Sequence, residues 1–139
     1  IFGEIKSNFI SQGYKAIVIP SMRTPKRIID LAIKEFIPNG FVINDVDKQA
    51  YLASFALANS IVVTCDSTSM ISEAAISGKP IFVAHMKPKR NNYRFQRFFQ
   101  LFRKMGIIRN LGEKVEKWTY NHFNEAERIA SLVHSKLNN

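Results

Sequence analysis

The stretch from Ser60 to Ala84, SIVVTCDSTSMISEAAISGKPIFVA, constrains the fold more than any other part of the chain. Ile61, Val62 and Val63 are β-branched and flanked by polar residues, which marks a strand. Gly78 and Pro80 stop a helix, and Ile81, Phe82 and Val83 begin a second strand. Two apolar strands joined by one helix pair in parallel. Asp66, Ser67, Thr68 and Ser69 crowd the start of that helix, where side-chain oxygens accept from backbone N–H groups that lack a helical partner. The helix dipole puts partial positive charge at the same point, so this end of the strand suits an anion such as phosphate. Glu73 is the only charged side chain between residues 67 and 78. It lies one turn beyond Ser69 on the same helix face, where a ligand at the cap would meet its carboxylate.

The pattern extends in both directions. Phe2, Ile5, Phe9 and Ile10 have helical spacing over Phe2 to Gln12, and Gly13 ends that helix. Ala16 to Ile19 reads as a buried strand, followed by a turn from Pro20 to Pro25. Thr24 is the expected cap and Pro25 the first residue of a helix to Phe36, with Ile28, Ile29, Ala32 and Ile33 inward. Pro38, Asn39 and Gly40 break the chain before a strand from Phe41 to Asn44. Asp47 caps a helix to about Ala58, with Tyr51, Leu52, Phe55 and Ala56 as its apolar stripe. Beyond His85, a helix from Asn92 to Met105 carries Phe95, Phe98, Phe99 and Phe102 at one-face spacing, a stripe expected to pack against the domain. Gly106 ends it. The segment through Trp118 and Tyr120 reads as irregular, and Asn124 is the expected cap of a last helix with Ile129, Ala130 and Val133 inward.

Helices alternating with strands predict an α/β domain over residues 1–139, a Rossmann-like parallel sheet with helices on both faces. In the common doubly wound order the first strand is central, whereas this chain starts with a helix. The expectation is a sheet missing its first strand, with a gap where that strand belongs. The native protein is then expected to extend toward the N-terminus, making this chain the C-terminal part of a two-domain protein.

Charge narrows the ligand class. Lys79, Lys87, Lys89, Arg90, Arg94, Arg97, Arg103, Lys104 and Arg109 fall in one segment without an acidic residue, and this segment accounts for the net charge of +9. So localised a basic field calls for an anionic partner: a phosphorylated ligand, an anionic lipid surface or nucleic acid. Nucleic acid is disfavoured, because the aromatic residues form a helix stripe and not a set of rings on strands. Residues 87–104 offer an alternative reading, a non-catalytic scaffold or interaction protein on an anionic membrane surface. No apolar run approaches the roughly 20 residues of a spanning helix, and there is no signal-peptide pattern. A cytoplasmic protein is expected, with peripheral contact at the inner membrane as the membrane option. The single cysteine, Cys65, excludes an internal disulfide and a cysteine-based zinc cluster, and no metal site is expected. His85, His122 and His134 read as bystanders, and no residue stands out as a catalytic base.

Taken together, Phe41 to Val46, Tyr51, Ala58 to Thr64, Asp66 to Glu73 and Gly78 to Pro80 resemble the nucleotide-sugar-binding C-terminal half of GT-B glycosyltransferases. Pro20 to Pro25 (PSMRTP), Val63 to Pro80, Arg94 with Phe95, Gly106 to Arg109 and Trp118 to Tyr120 resemble more closely the bacterial relatives of the plant mitochondrial-fission ELM proteins. The resemblance covers nearly the whole chain. It implies a nucleoside diphosphate sugar as ligand and no separate cofactor. Ser67, Thr68 and Ser69 would hold the diphosphate, and Glu73 would accept hydrogen bonds from the ribose hydroxyls. Asn44, Asp45 and Val46 would lie along the base, while Arg23, Arg90 and Arg94 would neutralise phosphate charge. Two features depart from the ELM pattern: Met22 stands where a basic residue is usual, and the Gly-Gly-Pro-Asn-Lys segment is absent. A GT-B enzyme also needs its N-terminal domain for the acceptor, so this chain alone is expected to bind and not to catalyse. An epimerase is disfavoured, since no strand is followed by Gly-x-Gly-x-x-Gly and no suitable Tyr-x-x-x-Lys pair occurs.

Overall fold

The computed structural model describes residues 1–86, 93–121 and 125–138, with the side chain of Arg94 outside that description. Its elements run α1 (Phe2–Asn8), a short 3-10 turn (Ile10–Gln12), β1 (Ala16–Val18), α2 (Lys26–Phe36), β2 (Gly40–Val42), α3 (Lys48–Leu57), β3 (Ile61–Thr64), α4 (Thr68–Ile76), β4 (Ile81–Ala84), α5 (Tyr93–Lys104), β5 (Ile108–Asn110) and α6 (Glu125–Leu137). The class is α/β and Rossmann-like, with every described strand in a parallel pair. The strands form two sheets, β1 with β2, and β3, β4 and β5 in that order.

β4 is the centre of the larger sheet, and all four of its residues are buried. Alternate side chains leave a strand on opposite faces, so β4 serves two cores. Ile81 and Val83 pack with Ile61, Val63, Ile71 and Phe102, the α4 and α5 side. Phe82 and Ala84 pack with Phe9 and Leu111, with Ile5, Val62 and Trp118 around them. A third core, Ala32, Phe36 and Val42, joins α2 to the smaller sheet and includes Phe2 and Ile5 of α1. The helices thus lie on both faces, as the alternating pattern predicts.

Several boundaries follow their local chemistry. Asp47 caps α3 by accepting from the N–H groups of Gln49 and Ala50. Gly13, Gly78 and Gly106 each have positive φ where a helical segment ends. At Gly40 the reason is proximity, because a Cβ there would collide with the Ala16 carbonyl across the β1–β2 pair.

Five expectations need correction. β5 occupies part of the segment read as irregular: Ile107 and Ile108 are buried against α5 and β4. β1 is not buried, since Ile17 is 46% exposed on a strand paired along one edge alone. Thr24 does not cap α2; Pro25 is the cap residue, and the Thr24 hydroxyl instead accepts from the Ser21 N–H. Leu52 and Ala56 are exposed, so Tyr51 and Phe55 alone carry the inward part of the α3 stripe. Ile129, Ala130 and Val133 are exposed on α6, a helix with no buried residue. The expected cap of α6, Asn124, lies outside the described residues, as do His122 and the first expected residue of α5, Asn92.

Candidate functional site

The β3–α4 junction folds as its residues require. Thr64 ends the strand, and the Ser67 hydroxyl accepts from the Met70 N–H at 3.4 Å, capping α4. The amides of Thr68 and Ser69 have no hydrogen-bond acceptor among the described residues, and the first turn of α4 carries no acidic residue. Two donors and the positive end of a helix therefore face outward beside Thr68 and the exposed Ser69.

Arg23 joins this junction from the loop after β1. Its guanidinium donates to the Asp66 carbonyl at 3.5 Å and lies 3.9 Å from the Asp66 carboxylate. The loops following β1 and β3 thus meet, which puts the carboxyl ends of both strands at one edge of the molecule. Both partners in this ion pair are largely exposed, and such pairs contribute only about 0–1 kcal/mol. Exchange of the Asp66 carboxylate for another anion at Arg23 costs correspondingly little.

Glu73 is exposed one turn into α4, and its carboxylate accepts from the Tyr51 hydroxyl of α3 at 2.8 Å. Burial, and then the Glu73 carboxylate, push the Tyr51 phenol far above its ordinary range, so the hydroxyl stays a donor. An ionised carboxylate has about four acceptor sites, and Tyr51 uses one of them. Sequence reasoning placed Tyr51 in an apolar stripe and missed this contact. The available signal was that a half-buried tyrosine needs a partner for its hydroxyl.

The remaining candidates are less closely grouped. Asn44, Asp45 and Val46 follow β2 and are exposed, and among the described residues no hydrogen bond links them to Ser67 through Glu73. Lys87, Lys89, Arg90 and the Arg94 side chain lie outside the described residues. The stripe of α5 faces inward, with Phe102 buried and Phe98 and Phe99 packed on the core. His85 pairs with the Asn110 side chain at 3.0 Å, His134 pairs with Asn138, and Cys65 is a half-buried free thiol. Among the described residues no group of three His, Cys, Asp or Glu side chains could hold a metal ion, and no helix is long and apolar enough to cross a membrane.

Other parts of the resembling motifs have structural work. Trp118 donates to the Gly106 carbonyl at 2.8 Å, meets Phe82 edge to face and carries the Arg109 guanidinium 4.3 Å above its ring. Tyr120 donates to the carbonyls of Ala75 and Lys79, while Lys79 reaches the carbonyls of Ala56 and Ala58 at the end of α3. These contacts tie the segment after β5 to the end of α4, and the end of α4 to the end of α3.

Residues 1–137 match the family described as mitochondrial fission ELM1. Mitochondrial fission protein ELM1 of Arabidopsis thaliana is 28% identical over 125 residues, covering 84% of this chain and 28% of that protein. An uncharacterized protein of Rickettsia prowazekii (strain Madrid E) is 31% identical over 140 residues, covering 91% of this chain and 39% of that protein. The chain therefore spans about a third of the length of the curated relatives it matches. No solved structure gives a significant match.

Proposed function

The chain belongs to the mitochondrial fission ELM1 family, and from that premise we propose that its β3–α4 edge binds a nucleoside diphosphate, carried by a nucleotide sugar. The observation that carries the proposal is the meeting of Arg23 with the β3–α4 turn, which brings an exposed positive charge close to free helix N-terminal amides. The diphosphate takes the amides of Thr68 and Ser69 and draws the Arg23 guanidinium from Asp66. Ser67 holds the turn in shape through its cap. Glu73 accepts from the ribose cis-diol on the sites that Tyr51 leaves open. Asn44, Asp45 and Val46 border the base, and Arg90 and Arg94 add positive charge. Transfer chemistry, if a longer form of the protein performs it, draws its acceptor site from outside these residues.

The experiment is a calorimetric titration with UDP, GDP and ADP of the wild-type protein and of Glu73→Ala and Arg23→Ala. Binding of one nucleotide that weakens at least about tenfold in Glu73→Ala supports the site. Wild-type binding that survives both substitutions unchanged places the ligand elsewhere. The lipid-surface reading retains only the charge of residues 87–104, because the aromatic face of α5 is already packed against the core.

A further inference from the structure

Of the four outer edges of the two sheets, those of β1 and β3 face each other across one cavity. β1 is hydrogen-bonded to β2 on one side only, and β3 to β4 on one side only. A cavity of about 910 Å³ lies between them, lined along one wall by residues 16–19 and along the other by residues 61–64. The Arg23 contact with Asp66 puts the carboxyl ends of both strands at the same end of this cavity, so its walls run in the same direction. Its two faces are apolar. Phe2 and Ile5 of α1, with Phe9 just after it, cover one, while Phe55 of α3 and Met70 of α4 cover the other.

We propose that this slot seats one more parallel β-strand, apolar on both faces and contributed by the same polypeptide from the residues immediately ahead of Ile1 in a longer form of the protein. A strand seated there, at the usual spacing of about 4.8 Å from each neighbour, joins the sheets into one of six strands, in the order β2, β1, new strand, β3, β4, β5. A strand buried on both faces reads as a continuous apolar run, which is what the two apolar covers demand. The connection also has the right form. Ile1 lines the slot, and a strand leading into α1 and then β1 makes a β-α-β unit with a short first connection. Every described strand is already paired within its own sheet, so a second copy would have to give up a pair to fill the slot. The relatives matched by this chain are about three times its length, which leaves ample sequence to supply one.

Hydrogen exchange read by mass spectrometry on the longer protein tests this directly. Amides of residues 16–19 and 61–64 are expected to exchange as slowly as those of β4, on the order of 100-fold slower than an edge strand. A scan placing proline at each of roughly ten positions ahead of Ile1 should contain variants that lose this protection in β1 and β3 together while β4 keeps it. Fast exchange of β1 and β3 in the longer protein overturns the proposal. So does protection that no proline disturbs, because the slot is then closed by direct pairing of β1 with β3. Protection that vanishes on dilution of a dimer assigns the slot to a second copy and equally overturns it. None of these readouts depends on nucleotide binding.

Discussion

Tyr51 on α3 donates its hydroxyl to the Glu73 carboxylate on α4 at 2.8 Å, so the proposed ribose acceptor is held in place by a neighbouring helix. Removing the carboxylate and removing its support are different perturbations. Glu73→Ala should weaken nucleotide binding at least about tenfold, whereas Tyr51→Phe should cost roughly threefold to fivefold, the loss of one neutral donor to a charged group. Calorimetry on both variants checks the ranking, and a larger loss in Tyr51→Phe would mean that the tyrosine itself meets the ligand.

Arg23 offers a contrast between stability and affinity. Its ion pair with Asp66 is exposed, so Arg23→Ala should shift the melting temperature by no more than about 4 °C. Nucleotide affinity should nevertheless fall about fivefold or more, and the wild-type affinity should decline with added salt more steeply than that of the variant. Parallel thermal melts and titrations at two ionic strengths would show whether the two effects separate.

Gly40 is demanded by the approach of the Ala16 carbonyl. Gly40→Ala forces β1 and β2 apart and should destabilise the protein by roughly 1–3 kcal/mol, as overpacking does elsewhere. Urea unfolding would measure this. An unchanged midpoint would mean that the smaller sheet contributes little to global stability.

Tyr120 predicts a pH dependence. Burial pushes its phenol up to about 12 from an ordinary 10, so the folded state holds this proton more tightly than the unfolded chain. The associated stability is complete below pH 10 and is lost as pH rises through 10 toward 12. Tyr51 is pushed in the same direction, so the difference between wild type and Tyr120→Phe isolates one hydroxyl. At about pH 7 the variant should be less stable by about 1 kcal/mol, and at about pH 11 the gap should narrow. Urea midpoints at the two pH values decide the matter.

The legible parts of the fold were those with strong local chemistry. The strands around Val62 and Phe82, the Ser67 cap and the Asp47 cap all follow from side chains acting on their own backbone. β5 was hidden because only Ile108 of its three residues is apolar, too short a run for alternation to register. Periodicity also cannot say what a face packs on. Ile129 and Val133 have helical spacing, yet both are half exposed and no described element covers them. Ile17 was read as buried because strands of this composition usually have two neighbours, and here β1 has one. In the candidate site, Arg23 and Ser67 through Glu73 were visible, but the Tyr51 hydroxyl bond links residues 22 apart in sequence and depends on how two helices meet.

Ile5 touches two of the three cores, the one beneath Phe82 and the one around Phe36. Two sheets that share no strand pairing among the described residues depend on side-chain packing to unfold together. A shared apolar side chain makes the loosening of one expose surface belonging to the other, so α1 sets the cooperativity of unfolding. Shortening Ile5 should therefore broaden the thermal transition, or divide it in two, beyond what its lost volume alone would cost.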